Sequence, residues 1–404
     1  MEEEILQEKE TKTSIDQLIR SAYHHNYAIA AWKDSHNGLI HVVIDLSENY
    51  KKPVDPELEK IGSGFMVSPF FNESNHLCYL IRADVHYCGK NEEQLKRRYD
   101  HTSIPGKDAG IFLNEIEVSQ SEDQFHPNYH LVEDYGQEEN SFKELVRRAI
   151  VGIEKGEFQK VVPSRRQLID LKEEFSLAGT FLELTRNFPE AFVSFFSIPG
   201  KGTWLGASPE ILIDIDGNGI FRTTAVAGTQ LCSPEVKLST VAWTQKEIEE
   251  QALVSRYIIN NFKKIRLREF DESGPKTVRA GNLVHLRTDF IVNIHDVNFP
   301  QLGTVMLKLL HPTSAVCGMP KEPSLEFLRK FENYDREFYS GFLGPVNVDR
   351  RTTLHVNLRC AQLMDKKAYL YSGAGVTLDS DPEQEWNETI IKNQAMKMIL
   401  RKNS

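Results

Sequence analysis

Lys160 sits in the run Phe158-Gln159-Lys160-Val161-Val162, whose apolar text reads as a β-strand. Successive strand side chains point to opposite faces, so Lys160 shares a face with Phe158 and Val162. A lysine in that company either hangs over a sheet edge into solvent, the ordinary case, or is buried for a purpose. Glu210 raises a similar question in WLGASPEILI, directly after a Ser-Pro turn and between two strand-like runs; a glutamate in a turn is usually solvated. Glu250 lies in WTQKEIEEQALVSRYI, where Ile248, Ala252, Ser255, Ile259 and Phe262 trace the main helical stripe. Glu250 falls instead in a second apolar row with Leu253, Val254, Tyr257 and Ile258. A carboxylate there is exposed at the rim, paired, or bound to a metal.

The closing segment SDPEQEWNETIIKNQ spaces Glu385, Glu388 and Lys392 by three and four residues, on one helical face. A surface pair between Glu388 and Lys392 accounts for this at about 0.2–0.5 kcal/mol. The alternative is a hard-cation site, with glutamates from different helices holding Mg²⁺ through oxygen. Just upstream, LYSGAGVTLDSDP is a glycine-rich turn whose free N–H groups suit a carboxylate or phosphate. It lacks the further glycine and βαβ setting of a dinucleotide fingerprint.

These side chains need a scaffold. Residues 1–20 read as an acidic lead, frayed or helical. From Tyr27 the runs YAIAAWKD, GLIHVVIDLS, GSGFMVSPFF and HLCYLIRADVHY, divided by Asn, Gly, Pro and Ser, predict a β-rich segment. The text turns polar at EDYGQEENS (133–141), where Ser141 and Glu144 make a capping box. Leu145, Val146, Ala149, Ile150 and Ile153 then repeat with helical period up to Gly156. Between 191 and 229, PGKG and DGNG separate three apolar runs, the pattern of an antiparallel meander. A long helix is predicted from Val236 to Lys264 and a strand over 285–294. Strand-like runs HVNLRCAQLM and AYLYSGAGV follow, then a helix from Asp381, with Ser380 and Glu383 as capping box and Pro382 in its first turn. Hairpin signals outnumber βαβ spacings, so the fold class is α+β, with large antiparallel sheets.

Composition narrows the function classes. The 404 residues are 40% hydrophobic and 26% charged, an ordinary globular balance that supports a sizeable core. A net charge of −10 and the lack of basic tracts argue against nucleic acid as a partner. An anionic ligand would need a local cationic site or a metal. The start MEEEILQEKE does not read as a signal peptide, and no run approaches the roughly 18 apolar residues of a membrane span. Five scattered cysteines without metal-ligand spacing read as reduced thiols, which points to a cytoplasmic protein.

The motifs KVVPSRR, GASPE, AVAGT, KEIEEQALV, HPTSAVCG, ENYDREFYSG, LRCAQL and SGAGVTLDSDPEQEWNETIIK occur in this order from Ser141 to Leu400. Together they resemble the chorismate-utilising enzymes: isochorismate, salicylate, anthranilate and aminodeoxychorismate synthases. The resemblance implies large antiparallel sheets packed together with helices outside. Residues 141–404 would form the catalytic region, and residues 1–140 a variable portion integrated into the same fold. Members of this type are often monomers.

The resemblance also implies roles. Water-adding members carry a lysine at the position of Lys160, ammonia-using anthranilate synthases a glutamine. Aminodeoxychorismate synthases place a different lysine where this chain has Ala227. Lys160 is thus similar to the general base, and desolvation of a buried amine suits that task. Glu210 matches the general acid, which burial would keep protonated. Glu250 and Glu388 match Mg²⁺ ligands, with Glu247 and Glu385 as further water-mediated ones. Arg359 and Lys392 match residues that pair with substrate carboxylate, and an arginine fork suits that geometry. Gly228, Thr229, Gly373, Ala374 and Gly375 would supply backbone or hydroxyl donors. His285 and Tyr339 match pocket positions, and the His311-Pro-Thr-Ser turn reads at least as well as structural.

The pattern points to an isochorismate synthase acting on chorismate. A salicylate synthase, an aminating enzyme with a separate glutaminase partner, and a non-catalytic binding relative remain the alternatives. The chain departs from the family at Pro163, Glu247, Gln251 and Glu337; at Glu337 the family usually has glycine, a change able to reshape a loop near the pocket.

Overall fold

The computed structural model describes residues 13–47, 49–71, 78–92, 95–98, 139–233, 235–280 and 283–402. Most of the acidic lead and of the polar stretch at 133–141 lies outside these residues. Helix α1 (Ile15–His24) is fixed by a complete capping box of Ser14 and Gln17. It leads into β1 (Ala28–Lys33), β2 (Ile40–Asp45), β3 (Gly64–Ser68), β4 (Tyr79–Arg82), β5 (Val85–Gly89) and β6 (Lys96–Arg98). Next come α2 (Glu139–Glu154), β7 (Lys160–Val161), β8 (Ser164–Asp170), α3 (Leu177–Asn187), β9 (Phe192–Ile198), β10 (Gly202–Ser208), β11 (Ile211–Ile215) and β12 (Ile220–Leu231). The remainder is α4 (Gln245–Lys264), β13 (Asp271–Ala280), β14 (Leu283–Asn293), α5 (Leu302–Leu310), β15 (Gly318–Met319), α6 (Lys321–Phe331), β16 (Phe342–Val346), β17 (Thr352–Val356), β18 (Cys360–Leu363), β19 (Lys367–Gly373) and α7 (Pro382–Lys402).

Two large antiparallel sheets carry the α+β fold. One has nine strands in the order β6-β5-β2-β1-β9-β10-β18-β19-β8, the other eight in the order β13-β14-β12-β11-β17-β16-β3-β4. Strands of residues 28–98 therefore lie in both sheets, hydrogen-bonded to strands from the later chain. The aromatic layer of Trp32, Phe65, Phe196, Trp204, Phe338, Tyr339 and Tyr371 packs as one cluster of side chains from both sheets. A second cluster joins the nine-stranded sheet to α1 and α3, a third joins the eight-stranded sheet to α4 and α5. Helices thus cover the outer faces, and strands such as β9 and β10 are buried along their whole length, on both faces.

The structure corrects several sequence readings. The 158–162 strand shrinks to Lys160–Val161, paired with β15. The predicted meander does not stay in one sheet: Pro209 and Glu210 separate β10 in the first sheet from β11 in the second. Helix α4 starts at Gln245, where Thr244 and Glu247 form the capping box, and Val236 and Leu238 ahead of it are exposed. Its buried face is Gln251, Val254, Ile258 and Phe262, whereas Ile248 of the expected main stripe is exposed. Ser141 lies inside α2 rather than at its cap. Asp381, not Ser380, caps α7 by accepting from the N–H groups of Glu383 and Gln384, while the Ser380 hydroxyl accepts from Thr377 N. Strand β13 has no counterpart among the strands expected from sequence.

A buried ion pair pins β7 and β8. Arg336 is fully buried and donates to Glu332 Oε1 and Oε2 at 2.6 and 2.8 Å, to Val162 O at 2.6 Å and to Val316 O at 2.9 Å. Glu332 Oε1 also accepts from Ser164 N at 2.7 Å. Removing one partner of such a pair strands the other without solvent. Arg336→Met is expected to destabilise the protein by about 3–5 kcal/mol, measured as the shift in urea midpoint at constant m-value.

Candidate active site

Lys160 is buried, with 1% of its surface exposed, which rules out the edge reading. Its Nζ donates to Glu250 Oε1 at 2.7 Å, so the second apolar row of α4 carries its carboxylate inward to a lysine. The glycine turn makes room for this pair. A Cβ on Gly375 would fall 2.9 Å from Glu250 Oε1 and 3.1 Å from Lys160 Cε. Burial alone would raise the Glu250 carboxyl, but Lys160, then Lys392 and Lys246, outweigh it and hold it below its ordinary range.

These groups line a cavity of about 260 Å³ at the junction of the sheets, together with Glu210, Gly228, Thr229, Glu247, His285, Tyr339, Arg359, Gly373, Glu388 and Lys392. Glu210 arrives there because Pro209 ends β10 just as the chain changes sheets. It is buried, and its Oε1 accepts from Thr313 Oγ1 at 3.4 Å. Burial pushes its carboxyl up to about 7, against the pull of Thr313 and of the Lys160 and Lys392 charges. A carboxyl held in that range keeps its proton near neutrality and can deliver it.

Helices α4 and α7 bring the remaining carboxylates, of which Glu388 and Glu385 each lie beside a lysine. Glu388 Oε1 lies 2.7 Å from Lys392 Nζ, and Lys392 also donates to Gly373 O at 2.8 Å. Burial opposes the charge on Lys392, but Glu388 outweighs it and raises the amine above its usual range. Glu385 Oε1 accepts from Lys246 Nζ at 3.0 Å. Its Oε2 is buried and accepts no hydrogen bond, and burial with the Glu388 charge raises its carboxyl. Glu385 stands behind the cavity wall rather than in it. Glu247 is differently employed: its two oxygens accept from Thr244 N, Thr244 Oγ1 and Gln230 Nε2, capping α4.

Which of these could hold a metal follows from the donor set. Glu250, Glu388 and Glu385 offer only oxygen, the donor type of hard cations. The bare Oε2 of Glu385 is the kind of buried acceptor that a cation or its bound water satisfies. Among the described residues, no three His, Cys, Asp or Glu side chains form a ready-made metal cage. The residues therefore fit a cation held by a few carboxylates with water completing its shell, as Mg²⁺ favours.

Arg359 sits between β17 and β18 with φ at +48°, a strained conformation often kept at functional positions. Burial lowers its guanidinium to about 10. Its Nη2 meets His285 Nε2 at 3.0 Å, and His285 Nδ1 lies 2.8 Å from Gly228 O. Arginine only donates and a carbonyl only accepts, so His285 is neutral with its proton on Nδ1. Burial, then Arg359, lowers its imidazole to about 3. Thr229 Oγ1 lies 3.3 Å from the same Nδ1. His285 thereby orients Arg359.

The expected donors of the glycine turn need correction. Ala374 N donates to Pro163 O at 3.1 Å, its side chain is fully buried, and it does not line the cavity. The turn leads to α7 only at Pro382, so no helix N-terminus faces the cavity from it. Sequence reading also missed Tyr371, Ser372 and Lys246 at or beside the cavity. Tyr371 was within reach, because it lies two residues before Gly373 on the same strand face. Thr313 belongs to the His311-Pro-Thr-Ser turn, and its hydrogen bond to Glu210 brings that turn to the edge of the cavity.

Two large antiparallel sheets with helices outside are also the fold of solved chorismate-utilising enzymes. The solved structure of MenF, the menaquinone-specific isochorismate synthase from Escherichia coli, superposes with TM-score 0.73 at 22% identity, over 98% of this chain and 97% of that one. Anthranilate synthase component I from Streptococcus pneumoniae does so with TM-score 0.63 at 18% identity, over 92% and 90%. The family model for chorismate binding enzymes matches residues 9–401, and the chain belongs to that family. Isochorismate synthase EntC of Escherichia coli is 29% identical over 266 residues, covering 64% of this chain and 66% of that relative. Isochorismate synthase MenF of Escherichia coli is 27% identical over 283 residues, covering 68% and 64%. The match thus spans just under two thirds of these relatives' length. No described helix is long and apolar enough to cross a membrane.

The raised carboxyl of Glu210 has a consequence for stability. Folding lifts it from 4.5 to about 7, so the folded state binds this proton more tightly than the unfolded chain. The resulting stability is complete below about 4.5 and is lost as pH rises through about 7, a loss on the order of 3 kcal/mol. Glu210→Gln is expected to remove this dependence, so that its denaturation midpoint gains on the wild type between pH 5 and about 8.

Proposed function

We propose that this protein is an isochorismate synthase, converting chorismate to isochorismate with Mg²⁺. One observation carries the reading: a buried lysine and a carboxyl held up to about 7 face one cavity, a base and an acid for adding water at one carbon and expelling hydroxyl from another. Lys160, charged in its pair with Glu250, would first give up a proton; as the neutral amine it would then take one from water as the water oxygen bonds to C2 of chorismate. The ring double bonds shift, and the C4 hydroxyl leaves as water with the proton of Glu210. One water enters and one departs, so the net reaction is an isomerisation. Lysine at position 160, rather than the glutamine of ammonia-using relatives, supports water as the nucleophile.

Charge supports the cofactor. Lys160, Lys246, Lys392 and Arg359 are roughly cancelled by Glu247, Glu250, Glu388 and Glu385. A substrate with two carboxylates brings two negative charges that this balance leaves unmet. Mg²⁺ held by Glu250 and Glu388, with Glu385 behind them, would supply the missing positive charge at the ring carboxylate. Arg359, aimed by His285, offers a fork to a carboxylate, and Gly373 and Gly375 leave space for the ring.

Purified protein given chorismate and Mg²⁺ is expected to form isochorismate, resolved by chromatography; salicylate with pyruvate would instead make it a salicylate synthase, and anthranilate formed with ammonia would make it an aminating enzyme. Lys160→Ala should lower kcat by about 10²–10⁴-fold, and full turnover in that variant would refute the base assignment. Glu388→Gln should weaken Mg²⁺ binding to the substrate-free protein at least about tenfold by calorimetry.

A further inference from the structure

Glu337 stands where the family pattern has glycine, and its backbone is one that glycine adopts with ease. Its φ is +47°, in the left-handed region that residues with a Cβ disfavour. The position is nonetheless well anchored, with Glu337 O accepting from Phe70 N at 2.8 Å and Glu337 N donating to Asp335 Oδ1 at 2.8 Å. The side chain then continues inward. Glu337 Oε2 accepts from Gln362 Nε2 at 3.1 Å, and Gln362, fully buried on β18, accepts through Oε1 from the Tyr371 hydroxyl at 2.7 Å. Tyr371 lines the cavity, its ring stacked on Tyr339 at 5.3 Å and on Trp204 at 5.2 Å.

The direction of this chain of bonds is set from its outer end. A carboxylate only accepts, so it draws the nitrogen of the Gln362 amide towards itself. The amide carbonyl must then face Tyr371, and the Tyr371 hydroxyl must donate. With no acceptor at 337, the amide is free to turn over and the hydroxyl to change roles. Burial, and after it the Glu337 charge, also keeps the Tyr371 phenol well above its ordinary range.

We propose that Glu337 is a positioning residue for the cavity, acting through Gln362 to fix the hydroxyl bond of Tyr371 and so the Tyr371–Tyr339 wall. The effect on substrate rests on the reading of this cavity as the chorismate site; the coupling itself does not.

The test compares wild type, Glu337→Gly, Tyr371→Phe and the double variant. Glycine suits the backbone at 337, so Glu337→Gly is expected to fold. It should raise KM for chorismate about fivefold with kcat within about twofold of wild type. In the Tyr371→Phe background the same substitution should change KM by less than about 1.5-fold. Glu337→Gln, which restores an acceptor, should return KM to within about twofold of wild type. An unchanged KM in Glu337→Gly, or equal effects in both backgrounds, overturns the proposal. Melting temperatures of the four proteins read the coupling without substrate. If the wild type does not turn over chorismate, the functional reading fails and these temperatures decide: non-additive shifts uphold the link, additive ones overturn it.

Discussion

An ammonium group cannot be taken out of water alone. Moving one into a protein interior costs several kcal/mol even after relaxation, and only a partner at bonding distance repays it. The contact of Lys160 with Glu250 meets that demand, and much of the architecture follows from it. The two-residue strand β7 must lie beside the start of α4, although 90 positions separate the partners in the chain. The turn after β19 must carry no side chain at 375, since a methyl group there would collide with both. Helix α4 must lie against the second sheet so that Glu250 faces inward, and Gln251 secures this by donating to Ala225 O and Thr288 Oγ1.

A second buried pair works behind the first. Arg336 and Glu332 hold the backbone on either side of Val162 and Pro163 through Val162 O and Ser164 N, so the strand that presents Lys160 is gripped from the side away from the cavity. The two pairs differ in what surrounds them. Arg336 is enclosed and has all of its charge satisfied by protein, as suits a structural tie. Glu250 is only half-buried and opens on the cavity, where a bound ion or substrate can reach it.

How much of this the amino-acid text discloses depends on the range of the cause. Apolar runs interrupted by Gly, Pro and Asn marked most strands, because half-buried strands leave a local trace. Strand β13, with the text DESGPKTVRA, left none: it is an exposed edge with no apolar alternation to read. The start of α4 was legible in Thr244 and Glu247 but was obscured by Val236 and Leu238, which are apolar and yet exposed. The burial of Lys160 was undecidable locally, since its partner lies far along the chain. The same holds for Thr313 beside Glu210, and for the change of sheet at Pro209. Family likeness filled that gap for Lys160, Glu210 and Glu250, but it misjudged Ala374, whose N–H is spent within the backbone.

The interleaving of early and late strands bears on how the polypeptide is made. Strand β1 pairs with β9, which begins at Phe192, and β3 pairs with β16, which begins at Phe342. During synthesis the N-terminal strands emerge from the ribosome long before these neighbours exist. The edge of β1 waits until about half of the chain has been translated, and that of β3 until most of it has. In that interval the unpaired edges of neighbouring chains on one messenger can meet each other before they meet their own later strands.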